Sequence, residues 1–234
     1  MKTVLLAGGR GVRLRPLTYS IPKPLLPVGE RPILELIIER LKTFGFRDLV
    51  IAVGYRAELI ETYFRDGSQL GVDIEYVREV EPLGTAGPLA VVRDQCGVSG
   101  DESLLVMNGD LLTELDMREV VDFHERGGHD LTVVTREHQL EHPYGVIECE
   151  GNRILSVVEK PVVTSIVNAG VYVFRCSTLD LVPSGTAVDM PELINIAVAA
   201  GRDVAAYAFA GPWLAIDRIE HLTEALGVVT EADA

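Results

Sequence analysis

The chain has 234 residues, 47% of them apolar, and a formal net charge of −14. That length suffices for one α/β domain with a sizeable core, and the acidic balance argues against a nucleic-acid-binding surface, which draws on clustered Lys and Arg. No run approaches the roughly 18 apolar residues of a membrane helix, and Arg10 follows the first apolar run too soon for a signal peptide, so a cytoplasmic protein with no membrane partner is expected. Cys96, Cys149 and Cys176 are odd in number, widely separated and without metal-ligand spacing, and read as scattered thiols in a reducing compartment.

Val4 to Leu6 is a short apolar run of the kind a buried strand shows, and Gly8, Gly9 and Gly11 follow it. Glycine lets a backbone approach a ligand closely, so the amides of such a loop can converge on an anion. Arg10, Arg13 and Arg15 place cations beside those amides, and Lys23 is set between Pro22 and Pro24, which restrict the local backbone. This is the composition of a polyphosphate cradle. A dinucleotide fingerprint starting at Gly9 needs a small residue where Leu14 stands, and a P-loop needs Lys-Ser or Lys-Thr where Lys23-Pro24 stands, so neither fits. Leu6-Ala7-Gly8-Gly9 through Leu14, Pro16-Leu17-Thr18 and Pro22-Lys23-Pro24-Leu25-Leu26-Pro27 together resemble the opening of the sugar-1-phosphate nucleotidylyltransferases, the nucleotide-sugar pyrophosphorylases. Val12 departs from that pattern, where many members carry Thr or Ser.

Further along, Ile33 to Leu41 has helical apolar spacing, with Pro32 suited to a first turn and Gly45 to a stop. Asp48 to Val53 reads as a strand, Ala57 to Phe64 as a helix and Val72 to Val77 as another strand. This alternation predicts a parallel, doubly wound sheet with right-handed crossovers. Glu81 to Leu89 forms a turn opening a helix that runs to about Asp94, with Thr85 as candidate N-cap. The turn also resembles the family's base-recognition turn, Gly84 and Thr85 meeting base or ribose, and Gly87 brings its wording closer to the guanylyltransferase branch.

Ser103 to Met107 is a continuous apolar strand, and Asp116 to Glu119 looks like a capping box that starts a helix reaching about Arg126. Asn108-Gly109-Asp110 therefore sits at the carboxyl edge of the sheet, where open α/β sheets bind ligands. At the matching position the family has a magnesium ligand, which makes Asp110 the expected one here. After Gly127-Gly128 come four strands, Leu131 to Thr135, Tyr144 to Cys149, Arg153 to Val158 and Ile166 to Phe174, which suggest a smaller antiparallel lobe completing the sheet. Pro143-Tyr144-Gly145-Val146, Glu159-Lys160-Pro161 and Asn168-Ala169-Gly170 resemble the family's sugar-phosphate pocket. The resemblance implies that Glu159 and Asn168 meet sugar hydroxyls, Lys160 the phosphate, and that Gly145 permits close approach.

A helix from about Val188 to Ala200 and a strand from Val204 to Phe209 precede the largest departure. Members commonly follow an aromatic residue with x-Asp-Ile-Gly, whose aspartate is a second metal ligand, whereas this chain reads Trp213-Leu214-Ala215-Ile216-Asp217-Arg218. In an extended segment Asp217 would lie on the same face as Ala215 but about 6 to 7 Å further on, and a magnesium–oxygen bond of about 2.1 Å tolerates little of that. Asp217 is therefore either a shifted metal ligand or a helix N-cap, the cap being preferred. His124, His129, His138, His142 and His221 form no recognisable set and read as structural or solvated. No appended β-helix or regulatory domain is expected.

The whole reads as one nucleotidyltransferase domain over 1–234, with a nucleotide-binding half over 1–128 and a sugar-phosphate half over 129–234. The expected fold class is α/β: a doubly wound, Rossmann-like, mostly parallel mixed sheet flanked by helices, with the antiparallel sugar-binding lobe. The resemblance implies transfer of a nucleotidyl group from a nucleoside triphosphate, GTP favoured, to a sugar 1-phosphate, with Mg2+ as cofactor. In that scheme Leu6, Ala7, Gly8, Gly9, Gly11, Arg13, Gly84, Thr85, Asn108 and Asp110 hold the nucleotide. Lys23 serves the α-phosphate and the incoming sugar phosphate, and Arg13, Lys23 and Asp110 carry the chemistry. The alternatives are a thymidylyl- or uridylyltransferase, or a regulatory protein that keeps the pocket and has lost turnover through Ala215. The resemblance is compatible with a homo-oligomer.

Overall fold

The computed structural model describes residues 1–232. In chain order the elements are β1 (Thr3–Ala7), β2 (Pro27–Val28), β3 (Arg31–Pro32), α1 (Ile33–Thr43), β4 (Asp48–Val53), α2 (Ala57–Phe64), β5 (Asp73–Arg78) and α3 (Gly87–Gln95). There follow β6 (Ser103–Asn108), β7 (Leu111–Thr113), α4 (Met117–Gly127), β8 (Leu131–Glu141), β9 (Val146–Glu150), β10 (Arg153–Val158) and β11 (Val162–Arg175). The last elements are α5 (Met190–Ala199), β12 (Val204–Ala208), β13 (Trp213–Ala215) and α6 (Ile219–Ala232).

Seven strands form the central sheet in the order β12-β8-β11-β6-β1-β4-β5. β11 alone runs against the others. The middle strands are near-continuously apolar because both their faces are buried. In β1, Leu5 and Ala7 join one core with residues of α1, α2, α4 and α6, while Val4 faces the other core, built with α3 and α5. The same period-2 division separates Leu49 and Ile51 from Val50, and Leu105 and Met107 from Leu104 and Val106.

Chain order reverses at β1, which has β4 on one side and β6 on the other. Such a switch point opens a crevice at the carboxyl ends of the strands. The glycine loop after β1 and Asn108-Gly109-Asp110 after β6 both fall there.

The antiparallel lobe is present but longer than expected. β8 runs on to Glu141 and β11 begins at Val162, the two pairing from Val162–Glu141 to Asn168–Thr135. The polar stretch Arg136 to Glu141 has no strand pattern of its own, and pairing with β11 makes it one. β9 and β10 form a separate two-stranded antiparallel sheet. Asp116 caps α4 as expected, accepting from the Arg118 amide at 2.9 Å. No helix among the described residues is long and apolar enough to cross a membrane.

On α4, His124 is 1% exposed, with Nδ1 2.9 Å from Thr132 Oγ1. Burial holds its pKa below the ordinary value of 6.5. The unfolded chain then takes up this proton at a higher pH than the native one, so the stability tied to neutral His124 is complete above about 6.5 and is lost as pH falls. Melting curves from pH 8 to 5 are expected to drop more steeply for the wild type than for His124→Asn. Parallel profiles would contradict this.

Candidate active site

The switch-point crevice is an open cavity of about 630 Å3. Leu6, Ala7, Gly8, Gly9, Gly11, Arg13, Gly84, Thr85, Asn108 and Asp110 all line it, with Lys23 and Asp217. Every residue expected to hold a nucleotide is thus in one place. At Gly8 the absence of a side chain lets the Glu79 carboxylate lie against the loop: a Cβ there would fall 2.0 Å from Glu79 Oε1. At Gly84 the backbone has φ +74°, and a Cβ would meet the Val188 carbonyl oxygen at 2.6 Å.

Thr85 does not cap the helix that follows it. α3 starts at Gly87 with Ala86 at its N-cap. The Thr85 hydroxyl instead accepts from the Met190 amide at 2.7 Å, at the start of α5, while the Thr85 amide donates to Asp189 Oδ1 at 3.2 Å. This exchange ties the 82–86 turn to a helix about a hundred residues away in the chain. It holds the turn as a rigid wall of the pocket.

At the opposite wall, Lys23 lies in a single 3-10 turn, Lys23–Leu25, directly after Pro22, and its side chain is 12% exposed. Its ammonium donates to Asp110 Oδ2 and, at 3.0 Å, to Asp217 Oδ1. Arg13 donates to the other oxygen of Asp217 at 3.2 Å. Asp217 is thus engaged by two cations of the cradle, and this replaces the helix-cap role preferred from its sequence position. Burial pushes the Asp217 carboxyl pKa up, but the Lys23 hydrogen bond and charge, with Arg13 behind them, outweigh it and leave it lowered. Among the described residues no three His, Cys, Asp or Glu side chains form a metal cluster. The donor set nevertheless suits magnesium, which is commonly held by one or two carboxylates plus phosphates and water, because two hard oxygen donors already converge on one cation, the Lys23 ammonium.

The expected sugar-side residues are placed elsewhere. Gly145 and Glu159 lie together on the exposed lobe, a Cβ on Gly145 falling 2.9 Å from Glu159 Oε2. Lys160 follows them with φ +45°. Asn168 donates to the Tyr172 hydroxyl at 2.7 Å and accepts from the Gly170 amide at 2.9 Å, and Gly170 lies against Asn108. None of Gly145, Glu159, Lys160 and Asn168 lines the cavity.

Glu79 is a lining residue that sequence reading did not single out. It follows β5 at the carboxyl edge of the sheet, just before the 82–86 turn, which was the available signal. Oε2 accepts from the Leu83 amide at 3.0 Å and Oε1 lies over Gly8. Burial raises its pKa, against the opposing effect of the Leu83 amide.

Residues 2–231 match the family model described as nucleotidyl transferase. The chain is 35% identical over 222 residues to a mannose-1-phosphate guanylyltransferase of Arabidopsis thaliana, covering 92% of this chain and 61% of that protein. It is 35% identical over 216 residues to a UTP–glucose-1-phosphate uridylyltransferase of Synechocystis, covering 83% and 55%. The chain therefore spans little more than half the length of these relatives. A Bacillus anthracis protein crystallised with sucrose superposes with a TM-score of 0.78 at 25% identity, covering 97% of this chain and 94% of that one. With the match running through the glycine loop, the 82–86 turn and the carboxyl edge of β6 alike, the chain belongs to the nucleotidyl transferase family.

Proposed function

We propose that the protein joins GTP and a sugar 1-phosphate to give a GDP-sugar and pyrophosphate. The observation that carries the choice of base is Glu79, a half-buried carboxylate facing the cavity beside the 82–86 turn. Guanine presents two adjacent donors on one edge, N1–H and the N2 amino group, and a carboxylate accepts both at once. Uracil and thymine present a single N3–H between two carbonyl oxygens, which a carboxylate repels. The guanylyltransferase among the relatives supports the same reading.

In the reaction a phosphate oxygen of the sugar 1-phosphate attacks the α-phosphorus. The new P–O bond forms as the bond to the β-phosphate oxygen breaks and pyrophosphate leaves. The nucleophile is already ionised near neutral pH, so no general base is needed, and alignment and charge neutralisation carry the rate. Lys23 would turn from its carboxylates to the α-phosphate and the incoming phosphate, and Arg13 to the β- and γ-phosphates. Asp110 would hold Mg2+, which when bound neutralises phosphate charge. Lys160, Glu159, Gly145 and Asn168 would receive the sugar phosphate, which requires the lobe to approach the cavity.

The test is pyrophosphate release from GTP, dTTP, UTP, CTP and ATP, each with hexose, hexosamine and heptose 1-phosphates in Mg2+. Turnover with GTP and one sugar class is expected. Turnover confined to UTP or dTTP would overturn the choice of base. Nucleotide binding with silence across the panel would favour the regulatory reading.

A further inference from the structure

Between Gly8 and Ile21 the chain buries only Leu14 and Thr18, and its regular structure amounts to two single 3-10 turns, Val12–Leu14 and Leu17–Tyr19. Apolar burial therefore does little to fix the shape of this loop. Polar contacts from Tyr55, a further residue lining the cavity, do more. β4 lies beside β1, so Gly54 and Tyr55, which follow β4, meet the start of the loop. A Cβ at Gly54 would lie 2.9 Å from the Gly8 carbonyl oxygen, and this close approach lets the Tyr55 amide donate to the same oxygen at 3.2 Å. The Tyr55 hydroxyl reaches the far end, sharing its single hydrogen between the Thr18 and Tyr19 carbonyl oxygens at 3.1 and 3.2 Å. Arg56 locks that end: Nε donates to the Tyr55 hydroxyl at 3.1 Å and Nη2 to the Tyr19 carbonyl oxygen at 2.7 Å. To do so Arg56 holds φ +54°, a left-handed conformation that a non-glycine residue keeps only where its surroundings enforce it. Thr18 passes the constraint on. Its hydroxyl donates at 2.8 Å to the Gly11 carbonyl oxygen, which also accepts from the Leu14 amide at 2.9 Å and so closes the turn that carries Arg13.

We propose that Tyr55 is a positioning residue for the phosphates: bridging Gly8 to Tyr19, it sets the width of the glycine loop, and through Thr18 and Gly11 it fixes the turn that bears Arg13. This role rests on the nucleotidyl transfer put forward above, in which the loop amides and Arg13 meet the triphosphate. A cradle already shaped to its ligand has less freedom to lose on binding. Lys23 is outside the effect, because Asp110 and Asp217 hold it independently. Phenylalanine at position 55 keeps the ring and the amide bond to Gly8 and removes only the reach to Thr18 and Tyr19.

The probe is inorganic tripolyphosphate, whose binding needs neither base nor sugar. Tyr55→Phe is expected to weaken it about tenfold, the net worth of one hydrogen bond, while guanosine and uridine bind as they do to the wild type. Unchanged tripolyphosphate affinity would overturn the role. So would an equal loss of nucleoside binding, which would make Tyr55 a support of the whole crevice. Thr18→Val supplies a second arm. It cuts the same path one link further on, so the double variant should lose little more than either single variant, and full additivity would overturn the path through Gly11. In turnover with whichever triphosphate the wild type uses, Tyr55→Phe should lower kcat/KM for the triphosphate about tenfold and leave KM for the sugar 1-phosphate unchanged. A loss confined to the sugar 1-phosphate would also overturn the role. The functional reading fails separately. A wild type that does not bind tripolyphosphate removes the phosphate cradle itself. A wild type that binds it and turns over only UTP, with the tenfold loss in Tyr55→Phe intact, keeps this role and removes guanine.

Discussion

Glu79→Gln is expected to lower kcat/KM for GTP about 100-fold and to raise it for UTP about tenfold, as measured by pyrophosphate release at matched sugar 1-phosphate. A hydrogen bond to a charged acceptor is worth about 1.5 to 3 kcal/mol, and about 2.7 kcal/mol corresponds to 100-fold. The glutamine keeps one acceptor oxygen and turns the other position into a donor, which opposes guanine and suits a pyrimidine carbonyl. Because the base is remote from the reacting phosphorus, its contacts act on binding, and the loss should fall mainly on KM. A pH signature accompanies it. Burial raises the pKa of Glu79, so its acceptor oxygens are protonated at a higher pH than an ordinary glutamate. KM for GTP should rise on acidification in the wild type and stay flatter in the variant. A GTP-to-UTP preference untouched by the substitution would remove Glu79 from base recognition.

Lys23→Ala is expected to reduce kcat by about 1000-fold with a smaller change in KM. Removing one preorganised donor from developing charge costs about 100- to 1000-fold, and Lys23 is both largely buried and shared by two carboxylates. Its loss leaves Asp110 and Asp217 facing each other with no ammonium between them. The variant should therefore melt lower than the wild type in EDTA and recover more of its stability than the wild type does when Mg2+ is added. Lys23→Arg should restore the melting temperature better than the rate, because a planar fork neutralises the carboxylates but does not reproduce a point charge at the α-phosphate. Wild-type kcat in Lys23→Ala would refute the role, and equal melting in EDTA would refute the electrostatic part of the argument.

Much of the crevice was legible because its elements are local. The glycines follow β1 directly, Asp110 follows β6 directly, and both strands announce themselves by apolar runs buried on two faces. The motifs expected to form a sugar side had an order in the sequence but no place. Lys160 and Glu159 stand on a lobe whose residues are exposed, and nothing in their spacing says how far that lobe lies from Lys23. Thr85 was misread for a related reason. Position before a helix predicts a cap, yet its hydroxyl goes to Met190, because the turn and α5 pack side by side.

Taken alone, the amino-acid sequence determined the alternation of strands and helices and the cation-rich glycine loop. Each of these follows from residues within a few positions of one another, through burial period, backbone freedom or proline restriction. Only the tertiary structure decided which groups face one another. Lys23 meets Asp217 across 194 residues, and Thr85 meets Asp189 across 104. Glu79 becomes a pocket wall because β5 and β1 both flank β4, which brings their loops together. Such contacts are set by sheet order and by a single three-residue turn, Ala215 to Asp217, closed from the Asp217 amide to the Ala215 carbonyl oxygen. A local pattern carries no record of either, since the free energy that selects them comes from long-range pairing and burial.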